Sequence, residues 1–198
     1  MQHPSTRALY AYWNERRGNR AAPDREDIDP VAIRQVLGDT FMLAADFVDE
    51  PRFRLAGTRV CALFCRELKG ESFAALWSKA EHARIDRLLR NLTGRSIGTV
   101  ASLSGHACDG ARLDLEMLLL PLAHNGHGRI RALGALSPVA TPYWIGESAL
   151  GELEIRELRE IGPEGRIGSP VQLDSASGER GARHGFVVHQ GGRDTRHP

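Results

Sequence analysis

Arg52–Trp77 reads RFRLAGTRVCALFCRELKGESFAALW, and its reading decides the fold. It opens with alternation. Arg52 and Arg54 are charged while Phe53 and Leu55 are apolar, the period of a strand with one wet and one buried face. The strand breaks at Gly57, where glycine tolerates the backbone that lets it go. Short helical pieces then run from Thr58 to Trp77 and are interrupted at Gly70. A strand that hands over to several short helices implies a sheet with a helical layer above it.

Upstream, DTFMLAADF (Asp39–Phe47) is short and apolar, a strand candidate. Asp49-Glu50-Pro51 is a turn, so these first two strands are tightly joined and antiparallel. Downstream, Ser78–Glu81 (SKAE) has the capping-box pattern. Ile85, Leu88, Leu89 and Leu92 then form the stripe of an amphipathic helix that Gly94 ends. The pattern next changes to sheet: Ser96–Ser104, Arg112–Leu122 and Arg129–Ala140 are strand candidates. Asp109-Gly110 and Asn125-Gly126 have the chemistry of tight primed turns between them. In Arg112–Leu122, Leu113, Leu115, Met117 and Leu119 alternate with a wet face that carries Asp114 and Glu116.

Two helices precede the first strand. One is capped by Ser5 or Thr6 and ends at Gly18, with Leu9, Tyr12, Trp13 and Arg16 on one face. The other starts at Asp29-Pro30 and stops at Gly38. Residues after about Leu158 are rich in glycine, serine and charge and read as loosely ordered, with GFVVH (Gly185–His189) as a short strand candidate. The expected fold class is α+β: a five-stranded antiparallel sheet, helices over one face, and an N-terminal helix. Such an arrangement encloses a small cavity between sheet and helices.

The quoted order resembles the PAS fold, and the chain is similar to the stand-alone PAS-like proteins of alphaproteobacteria. The resemblance runs through YAYWNERRGNRAAPDREDIDP (Tyr10–Pro30), FRLAGTRVCALFCRELKGESFAALW (Phe53–Trp77), LLLPLAHNGHGRIRALGALSP (Leu118–Pro138) and PYWIG (Pro142–Gly146). It implies an N-terminal helical extension over 1–37, a PAS-like domain over 38–146 and a largely flexible C-terminal extension over 147–198. It also implies a sensory or regulatory module rather than an enzyme, and supplies no ligand; the expected role is intracellular signalling through a protein partner, with a small ligand in the cavity as its gate.

The candidate pocket wall is Phe53, Leu55, Cys61, Phe64, Phe73, Leu88 and Leu115. Leu9, Tyr12 and Trp13 have two readings: they pack on the domain's own sheet, or they pair with a second copy. The second makes the chain a homodimer that Trp13→Glu drives toward monomer. No cofactor is required by the sequence. The alternative is haem held by His82, which shares the apolar face of the long helix and, by resemblance, stands where some PAS proteins place a haem ligand. An enzyme with a PAS-like cavity is a third reading, for which no acid, base and nucleophile are assembled.

Composition bounds the rest. The chain has 198 residues, 41% hydrophobic and 26% charged, which fits one domain with extensions. A net charge of +1 supplies no general attraction to nucleic acid or to membrane. No apolar run reaches bilayer length, and the N-terminus lacks a signal-peptide core, so the expected location is the cytoplasm. Three cysteines make no disulfide scaffold. Cys61 and Cys65, at helical spacing, would need His106 and Cys108 to complete a zinc site, and the usual ligand spacing is absent. Both read instead as small apolar packing residues. Arg84, Arg87 and Arg90 read as the solvated face of the long helix.

Overall fold

Met117-Leu118-Leu119-Leu120 is an unbroken apolar run, and a strand that carries one is covered on both faces. The computed structural model describes residues 1–45, 50–123, 130–162 and 164–171, with the backbone alone of residue 130. Its strands are β1 (Thr40–Ala45), β2 (Arg52–Ala56), β3 (Gly98–His106), β4 (Arg112–Pro121), β5 (Ile130–Pro138), β6 (Glu154–Ile161) and β7 (Ile167–Pro170). They form one antiparallel sheet in the order β2-β1-β5-β4-β3-β6-β7. The apolar run of β4 lies at its centre, with Met117 and Leu119 in one core and Leu118 and Leu120 in another.

The five expected strands are β1–β5, and β6 and β7 add two more from the extension 147–198, expected to be largely flexible. The pairing of β6 with β3 shifts register between Ser102 and Leu103, which leaves Arg156 unpaired as a bulge. Ile155 and Leu158, three apart, thereby both reach the inner core opposite Leu103 and Ala101. GFVVH and the Asn125-Gly126 turn lie outside the described residues. At Asp109-Gly110 only the glycine takes a positive φ, +86°. The Gly110 N–H donates to the Ala107 carbonyl and the Ala107 N–H to the Ala111 carbonyl, both at 2.8 Å. A type I turn closed by a left-handed glycine therefore replaces the expected primed turn.

The inner face of the sheet is covered by α2 (Thr58–Leu63), single turns of 3-10 helix at Phe73–Leu76 and Lys79–Glu81, and α3 (His82–Arg95). The predicted stripe of α3 is buried at all four positions, each side chain contributing about 1.5–3 kcal/mol. Two details of α3 differ from expectation. The Ser78 side chain makes no capping bond, and Glu81 instead pairs with Arg84 at 3.0 Å. The helix runs past Gly94 to Arg95, where Ser96 takes the left-handed turn at φ +51°.

The outer face is covered by α1 (Pro4–Arg17) and by turns between residues 22 and 36. His3 is the cap of α1, its Nδ1 accepting from the Ser5 N–H at 3.2 Å. The expected caps, Ser5 and Thr6, are buried instead. The expected helix from Asp29 to Leu37 is a run of turns. Asp29 Oδ1 accepts from the Val31 N–H, and the amides of Arg34 and Val36 bond three residues back, which α-helix does not do. Ile28, Ile33 and Val36 are drawn into the outer core, and their burial there outweighs helical regularity.

Candidate functional site

Five of the seven residues expected to wall a pocket meet in the inner core: Phe53, Phe64, Phe73, Leu88 and Leu115 are each at most 5% exposed. Cys61 packs against them half-buried. Leu55 does not join them and is 44% exposed. Leu43 pairs with Phe53 but Met42 with Leu55, so Arg54 is an extra residue in β2. That bulge turns Leu55 onto the outer face, beside Met42.

The space between sheet and helices is held by a run of rings. Phe41 lies 5.6 Å from Phe53 and 6.1 Å from Phe73, and Phe73 lies 5.5 Å from Trp77. The far end of the Phe41 ring crosses Gly134, where a Cβ would come within 2.2 Å of it. Trp77 is 2% exposed, and its Nε1–H has no acceptor among the described residues. A buried donor left unpaired costs about 1–3 kcal/mol. Trp77 therefore brings an unpaired donor to this interior, and the sequence pattern did not single it out.

The other sequence candidates do not assemble. α2 ends at Leu63, so Cys65 is past the helix, exposed at φ +50°, and shares no face with Cys61. Burial pushes the Cys61 thiol up, and neighbouring Glu67 adds to the effect. Cys108 is exposed, and among the described residues no group of three His, Cys, Asp or Glu side chains lies close enough to hold a metal. His82 is exposed at the start of α3, its Nε2 3.3 Å from the Trp77 carbonyl. It lies on the same face as Ile85 and Leu89 but at the first position of α3, outside the core that they enter, so it does not fit an axial haem ligand.

Leu9, Tyr12 and Trp13, expected at a dimer interface, are buried against the chain's own sheet at 0%, 9% and 1% exposure. Trp13 Nε1 donates to the Pro121 carbonyl at 2.8 Å. The helix start is held by two buried carboxylates. Glu116 in β4 accepts from the amides of Gln2 and His3 at 2.7 and 2.9 Å and from the Thr6 hydroxyl. Asp39 accepts from the Ser5 hydroxyl at 2.5 Å and from both ends of the Arg59 fork at 2.7 and 2.8 Å. The alternation placed Glu116 on a wet face; the signal that would have found it is an acid beside the apolar run Met117–Leu120.

Both carboxyls titrate low. Burial pushes Glu116 up, but the Thr6 hydroxyl and the amides of Gln2 and His3 outweigh it. Burial likewise pushes Asp39 up, and bonds from Arg59 and Ser5 outweigh it. A depressed carboxyl stabilises the fold fully above its ordinary value, here 4.5 for Glu116 and 3.8 for Asp39. That stability is lost as pH falls through the lower folded value. The parent's resistance to urea is therefore expected to fall on acidification below about pH 4.5. Glu116→Gln flattens that slope and costs about 2 kcal/mol at neutral pH. Identical pH slopes for parent and variant would show that the clamp is not the titrating element.

No curated protein is significantly similar to the chain in sequence. Among solved structures it resembles a LOV protein of Rhodobacter sphaeroides, with 14% identity and a TM-score of 0.41 over 59% of this chain and 71% of that one. It also resembles a RsLOV variant, with 16% identity and a TM-score of 0.40 over 58% and 69%. No helix among the described residues is long and apolar enough to cross a membrane. The PAS-domain family matches residues 1–137, a span that takes in α1 and ends at Ser137, the last residue but one of β5. By that match the chain belongs to the PAS-domain family, a family of sensory and signalling modules.

Proposed function

We propose that this chain is a PAS-type regulatory module of intracellular signalling, whose interior takes a small ligand and whose output passes through contacts with another protein. The observation that carries the reading is the two-sidedness of β4. Leu115 and Met117 face the inner core, and Glu116, between them, holds the start of α1 on the opposite face. A change in interior packing thereby has one strand to cross before it reaches the helix. Close-packed cores pass such changes on because they deform little. Trp77 supports the ligand, since its buried N–H offers a donor to a small acceptor among apolar rings. The output then goes through surfaces that move with α1.

Native mass spectrometry of the gently purified chain tests for a retained small molecule. Hydrogen exchange across Thr6–Trp13 is then compared between loaded and stripped protein. A ligand coupled to the helix changes exchange there by about tenfold or more. Equal exchange in the two states sinks the gating.

A further inference from the structure

Part of the outer face of the sheet, around β2, carries a cleft. It has a volume of about 440 Å³, with Met42 and Leu55 on its floor and Arg25, Arg54 and Arg131 around it. The three arginines come from separate elements: the 3-10 turn Arg25–Asp27, β2 and β5. Arg20, Arg59, Arg84, Arg112, Arg156 and Arg159 each hold a carboxylate. No described carboxylate pairs with Arg25, Arg54 or Arg131. The Arg54 bulge sets this surface up: it makes Leu55 44% exposed among cations instead of burying it on the same face as Phe53. Bulges re-aim side chains in this way, and here the exposed leucine joins Met42 in one cleft with three cations.

We propose that this cleft docks an acidic segment of a partner protein, with one apolar side chain on Met42 and Leu55 and flanking carboxylates on Arg25, Arg54 and Arg131. The proposal rests on the reading that the chain's output passes through protein contacts. Charge complementarity selects the occupant, because a guanidinium fork matches a carboxylate with two parallel bonds. A nucleic acid is disfavoured: the lining offers no aromatic ring on which a base would stack, and the net charge of +1 supplies no wider basic field.

The test is fluorescence anisotropy on the full chain with a labelled peptide, acetyl-Glu-Asp-Glu-Leu-Glu-Asp-Glu-amide. Its alanine-for-leucine analogue and a single-stranded deoxyoligonucleotide are the comparisons. The acidic peptide is expected to bind, and more weakly as salt rises toward about 0.15 M. Arg54→Glu with Arg131→Glu lowers affinity about tenfold or more, and Leu55→Gln lowers it about fivefold. Arg87→Glu, on the exposed face of α3, leaves it unchanged. Circular dichroism confirms that each variant folds.

Absence of peptide binding overturns the proposal. So does binding indifferent to the paired charge reversal, or equal binding of the alanine analogue or the oligonucleotide. A physiological partner that binds the doubly reversed chain as well as the parent removes the cleft while the protein-contact reading stands. A peptide that binds as expected, in a chain whose α1 exchange ignores its interior ligand, removes the gating and keeps the cleft.

Discussion

Trp13→Glu is expected to cost more than about 4 kcal/mol and to unfold much of the protein at room temperature, rather than to split a dimer. Trp13 is 1% exposed, its ring stacks 6.3 Å from Tyr10, and its N–H is taken by the Pro121 carbonyl. Removing a buried tryptophan costs about 3–5 kcal/mol by itself. A carboxylate in its place lies in the outer core that also holds Leu118, Leu120 and Leu133 and must be desolvated or protonated there, which adds to the cost. The total is of the size of a small domain's whole stability, about 5–15 kcal/mol. Trp13→Phe separates the contributions: it keeps a ring and leaves the Pro121 carbonyl without its donor, a loss of about 1–3 kcal/mol. Urea unfolding followed by circular dichroism gives both values. An unchanged midpoint for Trp13→Glu together with a halved solution mass would restore the interface reading of this face.

The limits of the sequence reading have identifiable causes. Periodicity locates apolar faces, so the α3 stripe and most of the inner wall were legible from spacing alone. Periodicity does not say what covers a face. Leu9, Tyr12 and Trp13 were legible as a face and not as one that lies on the chain's own sheet. Bulges were the second obstacle, because an extra residue changes alternation without a mark in the sequence. The one at Arg54 took Leu55 out of the expected wall, and the one at Arg156 let β6 bury residues whose spacing did not read as a strand. Burial of charge was the third. Glu116 and Asp39 are buried because α1 brings donors to them, and those donors are 114 and 34 residues away in sequence. The Gly-Ser-rich composition after Leu158 hid β7 for a simpler reason: its four residues are all exposed, so they carry no buried pattern.

Gly57 and Gly70 punctuate the same stretch, and their alanine variants are expected to differ sharply. Gly57 has an ordinary extended backbone, φ −69° and ψ 157°, that any residue adopts. What requires glycine is a crossing of chains. A Cβ at Gly57 would stand 2.1 Å from the Leu37 carbonyl oxygen and 2.4 Å from that of Gly38. The obstacle is backbone, tied in place by the Gly57 N–H bond to the Thr40 carbonyl at 2.8 Å and by Asp39 on Arg59. Gly57→Ala must therefore push the start of β1 away from β2, and with it the Asp39 contact that holds Ser5 of α1. The expected loss is about 3 kcal/mol, the upper range for overpacking a tight site. At Gly70 the relation is reversed. A Cβ there meets nothing within 4 Å, but φ is +90°, so Gly70→Ala costs about 1–2 kcal/mol of backbone strain. Urea midpoints for the two variants decide the matter. Equal losses, or a larger loss at Gly70, would mean that the strand lets go at Gly57 for conformational freedom and not because two backbones cross there.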